Sequence, residues 1–403
     1  MRRNFRINKR LQVKHIKSQI KCENLKFACY DSAESIEMIK LKNNLNKTKT
    51  KLDEHYELTK IDLQYSKLWL KFQNIIDIYK PMRREIEKKY NARHVTNAWM
   101  KYHEIYTEFD LISNNQTTKR KKYIAFFNAE LPGAALCAFN HFMKTQRIDI
   151  DFEWYGSSYI SDNSSTFGDT YGLYANNKNN WMMDNSNSGD MTCIDNILNL
   201  ANKIGPESPI GGIDFYSHDA GMDVSSDFNN QEIINAKLHL GCALAGFLTM
   251  RTGGTFIAKQ YTFFETISWN LIMIYSQLFD EFYICKPLTS RPYNSEIYFI
   301  GKGFKGISDA IKLLLIDKLI NFNITPLIQQ PINAQLFEFA KTVFNQQIDF
   351  INENIELLDI YKHNIWELNR QVELTRIKSI NNWLNIYPVY KITNDKQLNT
   401  YYK

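Results

Sequence analysis

Between residues 123 and 304 the chain alternates short runs of aromatic and β-branched residues with long helix-period stretches, and this pattern restricts the fold more than any other feature. The runs lie at 123–127, 148–154, 213–217, 255–258, 281–285 and 297–300, with helical patterns at 231–250 and 261–278. Strands separated by helices predict an α/β fold, a sheet with helices on both faces. Parallel neighbours need a long crossover. The link 285–296 is too short for one, so the run 297–300 is predicted to return antiparallel in an otherwise parallel sheet.

Helical periodicity also fills 32–90, with Pro81 marking a break or a new start, and returns at 307–320, 334–358 and 361–384. A chain of 403 residues suits two or three structural units. The expected boundaries are a basic N-terminal arm over 1–30, a helical extension over 31–90, the α/β domain over 91–305 and a C-terminal helical region over 306–403. Charge marks the arm. The net charge is +6, but residues 1–50 hold 13 Lys or Arg against 4 Asp or Glu, a local +9. Such a segment can attract nucleic-acid phosphates or can be a solvated tail, and an organellar transit peptide ranks last.

With 44% hydrophobic and 23% charged residues the chain is neither wholly disordered nor fibrous. Six scattered cysteines without a CxxC pair argue against a disulfide framework or a zinc site, and for a reducing compartment. The apolar stretch 240–250 is short of the roughly 20 residues that span a bilayer. No signal-peptide core follows the first basic residues. The expectation is a soluble intracellular protein without a membrane partner.

Four ionisable residues share a logic. Asp219 follows one strand and Lys259 ends another, positions at the carboxyl edge where α/β sheets bind ligands. Glu296 precedes the antiparallel strand and so reaches the same edge, while Lys101 lies in the helical pattern just before the core. Close charges there can lower a lysine pKa or hold its proton-accepting form in place. The turn Glu130-Leu131-Pro132-Gly133 joins the first strand to the helix starting near Ala134, where glycine lets a cofactor approach the backbone; alone it reads as an ordinary turn. The loops of 155–189 are rich in Ser, Asn, Asp and Gly.

Blander readings stand beside these. Lys101 can be a solvated helix charge, and Glu296 can pair with Arg291. His218-Asp219, with Asp214 and Asp223 near, invites a metal-dependent phosphohydrolase reading, which ranks low because the doublet follows a strand. Trp154, Tyr155, Tyr159, Tyr171, Tyr174 and Trp181 can stack on bases or simply pack.

Trp99 with Lys101, the 130–133 turn, Asp219, the strand from Gly253-Gly254 to Lys259, and Ser290-Arg291-Pro292 through Glu296 resemble the FtsJ-like (RrmJ-type) 2′-O-ribose RNA methyltransferase family. The resemblance covers about residues 85–305, and the segments 95–101, 171–174, 189–192, 237–239 and 286–296 resemble its members from African swine fever virus and other large cytoplasmic DNA viruses. It implies a Rossmann-like core using S-adenosylmethionine, with Lys101, Asp219, Lys259 and Glu296 as a Lys-Asp-Lys-Glu tetrad in which Lys259 takes the ribose 2′-hydroxyl proton. It places the cofactor at Glu130, Pro132 and Gly133, with Asp190 near the adenine and Asp219 near the methionine end, and RNA at Lys286, Ser290, Arg291 and Asn294.

No metal is implied. The implied substrate is the 5′ end of viral mRNA in the host cytoplasm or viral factory, with a capping enzyme or RNA polymerase as partner. Internal or ribosomal RNA, or an inactive RNA-binding or scaffold subunit, are the alternatives. Two positions depart from the family pattern: Gly133-Ala134 stands for Gly-Gly, and Asp219-Ala220, preceded by His218, stands for Asp-Gly.

Overall fold

In β4 (Ile213–His218) every residue is buried, and β2 (Tyr123–Asn128) is nearly as enclosed, so both sheet faces must be covered. A computed structural model describes residues 16–21, 25, 36–112, 122–160, 168–183, 189–224, 227–328 and 330–400. It contains a seven-stranded sheet with β1 (Ile16–Gln19), β3 (Phe152–Ser157), β5 (Met250–Gln260), β6 (Phe279–Lys286) and β7 (Ile297–Phe304) beside these two. Their order is β1-β6-β7-β5-β4-β2-β3. The strands from β3 to β5 are parallel, whereas β7 runs antiparallel to both β5 and β6. Helices Ala134–Gln146, Ile194–Ile204, Gln231–Thr249 and Thr266–Gln277 make the crossovers.

Two strands differ from the pattern in the sequence. β3 begins at Phe152 instead of 148, because a turn in which Ile150 N–H donates to Arg147 O (3.0 Å) closes the preceding helix first. β1 comes from the basic segment and pairs antiparallel with the edge of β6, Ile16 opposite Lys286, adding a second antiparallel strand. Residues 1–15, 22–24 and 26–35 of the expected arm and its continuation lie outside the described residues.

Helices Ile36–Ile61, Leu63–Ile76 and Met82–Tyr90, the last starting after Pro81, precede the domain; Asp309–Ile320, Ala334–Tyr361 and Ile365–Ile386 follow it. These extensions share its core. Trp69 and Phe72 from the N-terminal side, and Tyr361 and Trp383 from the C-terminal side, pack in one apolar cluster with Trp99, Phe139 and Phe215. Among the described residues no helix is long and apolar enough to cross a membrane.

Candidate active site

The helix Asn97–Glu108 starts at Thr96, whose hydroxyl accepts the Trp99 N–H (3.2 Å), and it carries Lys101 into the interior. Asp219 is the first residue beyond β4, Lys259 the penultimate residue of β5, and Glu296 immediately precedes β7. Because β7 returns antiparallel, with Tyr298 opposite Lys259, the four meet at one sheet edge. Lys259 Nζ donates to the Asp219 carbonyl (2.7 Å) and pairs with Asp219 Oδ1 (3.1 Å). Lys101 Nζ donates to Glu296 Oε1 (2.7 Å).

Tyr298 joins the two pairs. Its hydroxyl donates to Asp219 Oδ1 (3.3 Å), and the Lys101 ammonium lies 5.4 Å over its ring. The sequence reasoning passed over Tyr298, although residues two apart on a strand project to one face, so it follows from Glu296.

Burial opposes a charge on Lys259, but Asp219, with help from Tyr261 and Glu296, overrides it and raises the lysine pKa above its ordinary value. Burial likewise favours a neutral Glu296, yet Lys101, Lys259 and Lys286 hold its carboxylate well below the usual range. The close charges therefore stabilise the Lys259 ammonium, whereas the sequence reading allowed either a lowered pKa or a proton-accepting form held in place. The reason is that carboxylates, not cations, lie nearest to it.

The residues expected to face RNA divide in two. Lys286 Nζ donates to Asn294 O (2.8 Å), Asn294 Oδ1 (2.5 Å) and Glu296 O (2.8 Å), and Ser290 Oγ donates to Glu296 Oε1 (3.0 Å). These three side chains turn inward and hold Glu296. Burial pushes the Lys286 ammonium down to about 7, against the pull of Glu296. Arg291 is half exposed and reaches Asp77 Oδ2 (3.6 Å), so it does not take Glu296. If the resemblance holds for Glu296, Lys286→Met is expected to lower turnover about a hundredfold through loosening of Glu296, with RNA affinity little changed, in single-turnover and binding measurements.

The crevice between β2 and β4 lies where the chain turns to β3 on one side and to β5 on the other, the switch point of such sheets. Asn128 is opposite His218 there. Glu130 is buried, and its carboxylate accepts the Leu136 N–H (2.7 Å); burial pushes it up to about 8, backbone N–H groups oppose the shift, and Asp219 adds repulsion. Pro132 leads into Gly133, whose φ of 116° suits glycine and whose added Cβ would stand 2.5 Å from Leu173 Cδ2. Gly189 crosses closely over Ser158 beyond β3, and Asp190 beside it accepts from Thr192 N–H and Oγ1 (both 2.8 Å). Carboxyl groups near a glycine turn at three strand ends fit a cofactor bearing a sulfonium, an ammonium and ribose hydroxyls.

Other readings find less support. Asp214 is paired with Arg251 and accepts the Ile124 N–H (2.7 Å) within the sheet, and no group of three or more metal-ligating side chains occurs among the described residues. Trp154 and Trp181 are buried edge to face (6.1 Å) and Tyr171 stacks on His94 (3.9 Å), so these rings pack, while Tyr159 stays exposed.

Several known proteins are similar to this chain in sequence. The sequence pattern described as FtsJ-like methyltransferase matches residues 168–304. A protein of African swine fever virus named as a probable methyltransferase is 37% identical over 303 residues, covering 72% of this chain and 68% of that protein. The Mus musculus protein named cap-specific mRNA (nucleoside-2′-O-)-methyltransferase 2 is 28% identical over 341 residues, covering 80% of this chain and 42% of that one. The solved structure of human methyltransferase-like protein 13 overlays 61% of this chain and 92% of its own, with a TM-score of 0.30 and 11% identity, too loose a likeness to carry argument.

Proposed function

The chain belongs to the FtsJ-like methyltransferase family, and we propose that it methylates RNA at a ribose 2′-hydroxyl, at the cap-proximal end of viral mRNA. It is a methyltransferase that uses S-adenosylmethionine, which supplies an electrophilic methyl group on a sulfonium. The observation that carries the RNA reading is the paired set at the sheet edge, Lys259 on Asp219 and Lys101 on Glu296, beside the β2–β4 crevice.

In this reading Glu130, Gly133, Asp190 and Asp219 hold the cofactor, and Lys101 with Glu296 orients the ribose. Lys259 takes the hydroxyl proton. Asp219 controls when it can do so, because any positive charge or donor that Asp219 engages is withdrawn from Lys259, whose pKa then falls. The departures from the family pattern leave room for this. Ala134 opens a helix with its side chain buried, and Ala220 is likewise buried under the chain beyond β4.

Tritiated S-adenosylmethionine with capped mRNA, uncapped mRNA and ribosomal RNA tests the proposal. Label in the ribose of the cap-proximal nucleotide is expected. Label confined to uncapped or ribosomal RNA would replace the cap assignment with the internal one. Tight RNA binding without transfer to any RNA would favour a scaffold.

A further inference from the structure

We propose that the helix Ile36–Ile61, which lies outside the family-matched segment, forms one wall of a groove for single-stranded RNA, with Lys49 binding a phosphate and Phe228 stacking on a base. This rests on the RNA reading above and adds to it a subsite and its residues.

The helix touches the connections that leave the tetrad edge. Lys42 Nζ pairs with Glu265 Oε1 (2.5 Å) in the segment after β5. Lys49 Nζ approaches Phe228 O (3.5 Å), and Tyr56 stacks on the Phe228 ring (6.3 Å, 26°), both in the connection after β4. The loop before β7 lies within electrostatic reach of the same helix. The Lys49 charge acts on Lys286, and Tyr56 acts on Tyr293, which neighbours Arg291.

The one side-chain hydrogen bond described for Lys49 is the long one to Phe228 O (3.5 Å). No carboxylate lies within ion-pair distance of it among the described residues. Its nearest acidic influences are Glu232 and Asp53, and the Glu232 carboxylate is taken up by Thr262 Oγ1, Phe264 N–H and Glu265 N–H (each 2.9 Å). Burial pushes the Lys49 ammonium down to about 8, so an arriving phosphate would raise it again and take up a proton.

Phe228 is 40% exposed, as is Met222 on the same connection, and Trp69 backs Tyr56 edge-on (5.9 Å). Open aromatic faces flanked by cations suit unpaired bases joined by phosphates, whereas a duplex hides its base faces. Beside the loop before β7, Arg291 shares Asp77 with Arg83, whereas Lys49 on the helix has no such carboxylate partner among the described residues.

The test is binding of a short capped single-stranded RNA to the full chain across a salt series. Lys49→Met is expected to weaken binding about fivefold to tenfold and to reduce the salt slope by about 0.7, the share of one phosphate on a single strand. Phe228→Ala is expected to weaken it about tenfold without changing the slope, in line with one lost base stack. Lys49→Arg restores the affinity but abolishes the proton uptake seen near pH 8.5 in buffers of different ionisation enthalpy. S-adenosylmethionine affinity stays unchanged in all three, which shows that they fold. Wild-type affinity and slope in Lys49→Met, in a chain that methylates RNA, would refute the groove alone. A wild-type chain that neither binds nor methylates RNA would overturn both the groove and the proposed function.

Discussion

Lys259→Met is expected to lower methyl transfer to RNA by about a thousandfold while S-adenosylmethionine and RNA still bind, the size expected of a lost general base. The substitution keeps the side-chain volume and removes the nitrogen that lies 2.7 Å from the Asp219 carbonyl and 3.1 Å from its carboxylate. Because the free enzyme holds Lys259 as an ammonium with a raised pKa, the base form grows as pH rises. The wild-type rate is therefore expected to climb into the alkaline range. Lys259→Arg separates two roles, since arginine keeps the charge but cannot accept the proton near neutral pH. Activity of Lys259→Arg near wild type would mean that the charge alone matters, and activity of Lys259→Met within tenfold would remove Lys259 from the chemistry.

That Lys101, Asp219, Lys259 and Glu296 meet at one sheet edge was legible because each stands in or next to a strand or helix whose boundaries the sequence marks. Fully buried runs such as 213–218 announce themselves, and the short link before Glu296 dictates the antiparallel return. Where apolar residues serve other ends, the pattern misleads: Ile148 looked like the start of a strand but is 74% exposed in the turn before β3. β1 has only four residues in a basic segment, too few for periodicity to speak. Its place follows from the open edge of β6, and Lys17 within it pairs with Glu108 (2.5 Å) at the end of the Lys101 helix. Removing residues 1–21 thus takes away an edge strand along with positive charge. Side-chain direction was beyond reach too. The resemblance put Lys286 at the RNA, and only the fold turns it onto the Glu296 loop.

The largest stability loss is expected at Glu104, one turn beyond Lys101 on the same helix and fully buried. Its carboxylate accepts from Leu288 N–H (2.6 Å), Thr289 N–H (3.2 Å), Thr289 Oγ1 (3.0 Å) and Trp383 Nε1 (3.1 Å). One side chain thereby ties the Lys101 helix to the loop that leads to Ser290 and Glu296, and to the C-terminal helix Ile365–Ile386. Glu104→Ala leaves two backbone N–H groups, a hydroxyl and an indole N–H buried without this acceptor, a loss of about 3–5 kcal/mol. Denaturant unfolding measures it directly. Trp383→Phe deletes one donor and part of a fully buried ring and is expected to cost about 1–3 kcal/mol, and Glu104→Gln keeps one acceptor oxygen but points an NH2 at other donors. Well below the melting temperature, Glu104→Ala is also expected to lose more methyl transfer than its unfolded fraction explains, because the loop that aims Glu296 hangs from Leu288 and Thr289. The crevice proposed for the cofactor draws on β2, β3 and β4 instead, so S-adenosylmethionine affinity is expected to hold. A loss under about 1 kcal/mol for Glu104→Ala would mean that the loop and the C-terminal helix are held by packing alone.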